Sequence, residues 1–157
     1  MPKVDLDNMA PRTGTIYPEI HHKEMEGRSS LRFSDAAGLT QFGANITILG
    51  PGAKSSLRHW HENQDEFVMV ITGTATLVDD HGETELKAGE CAAFPAGDAN
   101  GHTIVNKSNA EVRFLAVGAR TPTEVGWYSD IDMKVTIDEG GFAFTRKDGS
   151  PYPGDDT

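Results

Sequence analysis

The chemistry open to this chain is concentrated in four residues, His59, His61, Glu66 and His102. His59-Trp60-His61 sets two imidazoles at positions i and i+2. On a β-strand those positions share a face, so both rings enter one interior while Trp60 points the other way. A polar turn follows, Glu62-Asn63-Gln64-Asp65, and then the apolar run Glu66-Phe67-Val68-Met69-Val70-Ile71. The pattern reads as a hairpin whose second strand opens with a carboxylate. Glu66, Val68 and Val70 share one face of that strand, and Glu66 opens onto the histidines if that face meets them. His102 follows a Pro-Gly-rich loop and begins a further β-branched run, Thr103-Ile104-Val105. Three neutral imidazoles and one carboxylate suit a borderline divalent ion such as Fe, Mn, Ni, Co, Cu or Zn. Buried without an ion, these groups would need other partners, at roughly 1–3 kcal/mol for each one unmet. The four ligands His59, His61, Glu66 and His102 would occupy one side of a six-coordinate ion. Room is left for water or an oxygen-chelating substrate. Glu66 is also a candidate catalytic base.

The elements that must position these residues are short strands. Phe42 to Leu49 reads as one, with Asn45 and Thr47 on one face and Ile46 and Ile48 on the other. Thr74 to Val78 and Glu83 to Lys87 alternate around Asp79-Asp80-His81-Gly82, a second hairpin signal. Cys91 to Phe94, His102 to Asn106 and Glu111 to Val117 complete a set of roughly eight strands at hairpin spacing. Such a set predicts an all-β fold, a closed barrel or a two-sheet jelly roll, which leaves few free edges. Lys134 to Ile137 and Gly141 to Phe144 are candidates for further strands.

The central stretch resembles the paired motifs of the cupins, the RmlC-like small β-barrels. The first motif is represented by Gly52, His59, His61, Glu66 and Gly73, the second by Gly89, Pro95, Gly97, His102 and Asn106. Two gaps differ from the family pattern. The run from Gly52 to His59 is one residue longer, and Asp98-Ala99-Asn100-Gly101 lengthens the loop before His102. The resemblance covers about half the chain. It implies a cupin-type double-stranded β-helix, or jelly-roll barrel, and one divalent transition metal per chain, Zn, Ni, Fe or Mn. It also implies a small-molecule ligand, and a homodimer, since many small cupins are dimers. On that reading residues 1–38 form an N-terminal arm, 39–120 the barrel, and 121–157 an extension that packs on the barrel or on a dimer partner.

Composition narrows the function classes. Among 157 residues the net charge is −10. That charge disfavours nucleic acid and anionic membranes as partners, because both would repel it. No apolar run approaches the ~20 residues of a membrane span. The single cysteine, Cys91, leaves no internal disulfide, and a reducing cytoplasm is the expected setting.

Other residues that catch the eye have plainer readings. His21 and His22 point to opposite faces of an extended chain and are expected on the surface, with Ile16 to Ile20 a short edge strand. Cys91 is expected in the core as a small apolar residue, and His81 in a solvated turn. Ser55 and Ser56, near His59, form no catalytic triad, because the sequence places no carboxylate to orient the base. Gln41, Asn45, Asn100 and Tyr128 are candidate polar residues around the site. The loop Gly97 to Gly101 has the freedom to close over a ligand, with Asp98 or the candidate catalytic residue Asn100 reaching a bound oxygen. The expectation is a metal-dependent enzyme acting on a small oxygenated metabolite (a sugar, hydroxy acid or enediol) by isomerase, dioxygenase or lyase chemistry. The alternative is a non-catalytic metal- or metabolite-binding sensory module.

Overall fold

The structure, a computed structural model, describes residues 2–154. Residue 1 of the expected arm and residues 155–157 of the expected extension lie outside it. A 3-10 helix over Glu19–Met25 precedes strands β1 (Arg28–Leu31), β2 (Phe42–Leu49), β3 (His59–His61) and β4 (Glu66–Thr72), with one helical turn, α1 (Phe33–Ala36), between β1 and β2. Strands β5 (Thr74–Asp79), β6 (Gly82–Lys87), β7 (Cys91–Phe94), β8 (Thr103–Val105) and β9 (Val112–Ala119) follow. The last are β10 (Glu124–Tyr128), β11 (Lys134–Asp138) and β12 (Gly141–Thr145). The fold is all-β, a jelly-roll barrel of antiparallel strands. No helix among the described residues is long and apolar enough to cross a membrane.

One wall is a sheet in the order β1-β2-β9-β4-β7. The other combines β12-β11-β10-β3 with β6-β5-β8. These last two sheets meet where His59 bridges His102 and Lys54 bridges Val105. Between the walls lies a core of Leu49, Val68, Val70, Ala75, Leu86, Ile104, Val112 and Phe114. Each such side chain contributes roughly 1.5–3 kcal/mol by leaving water.

Register explains which side chains enter. In an antiparallel ladder, directly opposed residues share a face. Arg28 opposes Leu49 and Ser30 opposes Thr47. Leu49 and Thr47 face inward, so Arg28 and Ser30 do too. The alternate residues Leu31, Ile46 and Ile48 form an outer cluster that Met9 and Phe33 cover. Strand β2 is therefore buried on both faces, which blurs its alternation.

Two polar details hold the loops around the site. Asn106 is fully buried, and its amide nitrogen donates to Leu49 O at 2.9 Å and Ala110 O at 2.7 Å. Its oxygen accepts from the Ser108 amide and hydroxyl. Gly73 joins β4 to β5 at φ 83°, and a Cβ there would lie 2.7 Å from Glu111 O. Only glycine fits that corner.

Several expectations give way. The runs around His59–His61 and Glu66–Thr72 do not pair as a hairpin: β3 pairs with β10, and β4 with β7 and β9. The polar turn between them instead carries the chain from one wall to the other. Ile16 to Ile20 is no strand; Glu19–Met25 winds as a 3-10 helix. His21 is buried rather than solvated, its Nε2 2.9 Å from the Tyr152 hydroxyl. His22 is exposed, and its Nε2 donates to Tyr17 O at 2.8 Å. Cys91 is exposed rather than buried, because its side of β7 falls on the outer face. His81 is exposed in the β5–β6 turn, as expected.

Candidate metal centre

Strand β3 is three residues long, and its alternation sends both imidazoles into the barrel. The rings of His59 and His61 stand perpendicular, with centroids 4.8 Å apart and their Nε2 atoms 3.1 Å apart. His59 Nδ1 donates to Leu57 O at 2.8 Å, which leaves Nε2 as the lone-pair atom facing inward. Glu66 reaches across from the first residue of β4. Its Oε1 lies 2.7 Å from His61 Nε2, 3.3 Å from His102 Nε2 and 3.6 Å from His59 Nε2. The donor atoms of His59, His61 and Glu66 all fall within 4.8 Å of one another, and His102 joins the group through Glu66.

Distance and direction disagree at Glu66. Although 2.7 Å from a ring nitrogen, Oε1 is buried without a well-aligned hydrogen bond. The oxygen sits off the N–H directions, so short contacts do not become good bonds. Lone pairs converging on a common point is what a cation requires, and this donor set is one that borderline divalent ions accept. His61 Nδ1 and His102 Nδ1 are also buried and unbonded.

The electrostatics follow from burial and mutual contact. Burial by itself would raise the Glu66 carboxyl, but His102, His59 and His61 together hold it well below its ordinary value. Burial pulls His59 down, and the Glu66 carboxylate more than offsets this, leaving the ring above its ordinary value. At His102 burial prevails and the ring titrates below its ordinary value. Glu66 is thus an anion over the whole neutral range.

Three surrounding residues had no signal in the sequence. Phe94 stacks flat on His102, centroids 3.5 Å apart and planes 4° apart, from a position directly opposite Glu66 in the β4–β7 ladder. Glu124 in β10 is fully buried, accepts from the Asn63 and Val125 amides at 2.9 and 2.7 Å, and has an oxygen 3.7 Å from His61 Nδ1. Gly126 opposes His61, where a Cβ would meet Val135 at 2.9 Å.

A cavity of about 190 Å³ adjoins the cluster, lined by His59, Glu66 and His102 together with Arg28, Asn45 and Thr47. His61 and His102 line a second cleft of about 100 Å³ beside Asp98 and Asn100. A more open apolar cleft, bounded by Phe42, Phe67 and Val117, reaches Glu66 from outside.

The other expected site residues divide. Asn45 lines the cavity, and the Tyr128 ring packs 5.7 Å from His59. Gln41 borders only the outer cleft. Asn100 borders the smaller cleft, but its amide is engaged elsewhere: Oδ1 accepts from Asp80 N at 2.8 Å and Nδ2 donates to Asp79 at 3.2 Å. Its loop is tied down as well, because Arg58 donates to Gly101 O at 3.0 Å and is paired with Asp80 and Asp130. Ser55 and Ser56 meet Thr103, not a catalytic base.

Comparison with known proteins agrees with this geometry. A family model described as a cupin domain matches residues 45–118. Among solved structures, a sugar phosphate isomerase from a cupin superfamily, from Silicibacter pomeroyi, is 60% identical over 98% of both chains, with a TM-score of 0.95. A provisionally assigned sugar phosphate isomerase from Acidithiobacillus ferrooxidans is 25% identical over 76% of both chains, with a TM-score of 0.72. The polyketide cyclase RemF from Streptomyces resistomycificus shares the fold at 21% identity and a TM-score of 0.63, over 76% of this chain and 79% of its own. No curated protein matches the chain by sequence. Paired motifs, barrel and close relative together establish that the chain belongs to the cupin superfamily.

Proposed function

We propose that this chain is a metal-dependent enzyme acting on a small oxygenated metabolite, with sugar phosphate isomerisation the best-supported reaction. The observation that carries the reading is the buried, unbonded Glu66 Oε1 among three imidazole nitrogens. The identity to the Silicibacter pomeroyi protein, named a sugar phosphate isomerase, favours that reaction over dioxygenase or lyase chemistry.

His59, His61, Glu66 and His102 are the ligands in this reading, for one divalent transition metal. When bound, such an ion supplies Lewis acidity toward a carbonyl or hydroxyl oxygen. The protein's own residues have distinct tasks. Isomerisation through an enediol needs a base that carries a proton between adjacent carbons, and Glu66 is the one carboxylate among the residues lining the inner cavity. Held ionised, it is the group able to accept that proton through its second oxygen. The Leu57 carbonyl fixes the tautomer of His59, and the Glu124 carboxylate lies 3.7 Å behind His61 Nδ1, within reach of its charge. Val68, Ile104, Phe114 and Ala116 form the apolar side of the cavity and limit water around the reacting atoms. Asn100 is a positioning residue for the loop before His102 rather than a group that touches substrate.

The test combines elemental analysis with proton exchange. Purified wild-type protein is expected to carry about one transition metal per chain, and His61→Ala much less after dialysis against a chelator. Wild type should also exchange a carbon-bound proton of a sugar phosphate with D2O, read by NMR, while Glu66→Gln should not. Full metal retention by His61→Ala would overturn the ligand assignment. Metal binding with neither exchange nor conversion of any aldose or ketose phosphate would leave the binding module instead.

A further inference from the structure

The inner cavity holds a cation that neither the metal cluster nor the fold employs. Arg28 lies at the start of β1, opposite Leu49, and therefore faces the interior. Its Nε is buried with no hydrogen-bond partner. Its titratable neighbours are Tyr17 and Arg32, and among the described residues no carboxylate pairs with it. Arginine stays ionised in proteins, so an unpaired guanidinium in a half-buried wall keeps an unmet demand for an anion.

The residues next to it fit the same demand. Asn45 and Thr47 come from the neighbouring strand β2 and face the same cavity. Thr47 Oγ1 donates to Asn45 Oδ1 at 3.0 Å, which fixes the orientation of that amide. The Asn45 Nδ2 is left as a donor with no bond among the described residues. Ser55 and Ser56, bonded to Thr103 and Ile104 of β8, add hydroxyls from the facing wall. Val68, Phe114 and Ala116, from β4 and β9 of the same sheet as β2, and Ile104 from β8 supply the apolar lining, and Glu66, the anion of the site, belongs to the metal cluster. The cavity thus has two poles, a guanidinium with oriented donors at one and the histidine–glutamate cluster at the other. Its volume of about 190 Å³ far exceeds the roughly 10–15 Å³ that one water needs. It is below the roughly 300–1,000 Å³ of sites for drug-sized ligands.

We propose that Arg28, with the Asn45 amide, binds an oxyanion group, phosphate or carboxylate, of a short-chain substrate whose oxygenated carbons face the His59–Glu66–His102 cluster. This deepens the functional reading above by naming which end of the substrate is charged and where it is held. Planar guanidinium donors match either oxyanion in a two-pronged contact, which lysine cannot reproduce. The anion anchors the molecule by its non-reacting end, and its length sets which carbons reach Glu66.

The experiment is a calorimetric titration of metal-loaded wild type, Arg28→Gln, Arg28→Lys and Asn45→Ala with inorganic phosphate and, separately, with acetate. Melting temperature and metal content are recorded for each protein. Saturable binding of one anion by wild type is expected, weakened about tenfold or more by Arg28→Gln, less by Arg28→Lys and less again by Asn45→Ala. Whichever anion binds more tightly identifies the group. Binding of neither anion by wild type, or equal binding by wild type and a folded Arg28→Gln, would overturn the inference. Should Arg28→Gln fail to fold, Asn45→Ala decides on the same criterion. The two readings fail separately: Arg28-dependent binding in a protein that takes up no metal would remove the metal and keep the subsite.

Discussion

His59 and His102 stand directly opposite each other and exchange both main-chain hydrogen bonds, at 3.1 and 2.9 Å, although they lie 43 residues apart and at the edges of different sheets. This bridge joins the β3 edge of one sheet to the β8 edge of another. It also places the two imidazoles on one face, with ring centroids 5.0 Å apart. A one-residue slip would turn one ring out of the barrel, so register at this seam and composition of the site are the same property.

Glu124 should act on the metal through His61. Glu124→Gln keeps the shape and an acceptor for the Asn63 and Val125 amides but removes the charge 3.7 Å from His61 Nδ1. Divalent metal affinity should fall about 10–100-fold while the barrel stays folded. Competition with a chromophoric chelator measures it, and an unchanged affinity would show that Glu124 serves the loop alone.

The acid limb of stability in the metal-free protein should belong to Glu66. Burial opposes its ionisation, but contacts with His102, His59 and His61 hold it well below its ordinary 4.5. Its contribution is therefore complete above about pH 4.5 and lost as pH falls toward the depressed native value, where the unfolded chain binds the extra proton. The histidines act near neutrality with opposite signs. His59, raised above 6.5, contributes below that value and loses the contribution at higher pH. His102, lowered by burial, contributes above 6.5 and loses it as pH falls. Urea unfolding between about pH 3 and 6 should show a steep limb in wild type and a flatter one in Glu66→Gln. Parallel limbs would assign the acid sensitivity elsewhere.

Arg58 should govern the loop before His102. It donates to Asp130 at 2.8 and 3.1 Å and to Gly101 O at 3.0 Å, and it pairs with Asp80. The Asp130 carboxylate sets its titration highest, and burial takes back only part of that. Arg58→Ala should lower stability by about 1–3 kcal/mol and raise amide hydrogen exchange across residues 97–101. Unchanged exchange there would mean that the Asn100 bonds hold the loop unaided.

Runs of β-branched and apolar residues bounded by turns make strands legible: Phe42 to Leu49 and Glu66 onward form strands at the expected places, although β2 is buried on both faces. Partner choice was not legible. His59–His61 looked like half of a hairpin, since a short polar turn precedes an apolar run, yet the turn spans the two walls and β10 supplies the partner. Nothing local to Glu124-Val125-Gly126-Trp127-Tyr128 announces a strand carrying a buried carboxylate. Cys91 was misplaced because small apolar residues fit either face of a strand equally well, and hydropathy alone does not choose. Arg28 carries no local signal, because pairing with β2 is what turns it inward.

The residue between the two ligand histidines has a use of its own. Trp60 projects from the outer face of β3 and stacks on Trp127, centroids 6.1 Å apart, with Lys134 over the second ring and Glu62 accepting from its indole N–H at 2.8 Å. These are the chain's two tryptophans. One fluorophore therefore sits on the reverse of the three-residue strand that presents the imidazoles, and the other on β10 directly opposite it. Intrinsic emission is consequently a label-free optical reporter on that strand: an open-shell ion at the histidines would quench it, and a closed-shell ion would shift it only by moving the backbone.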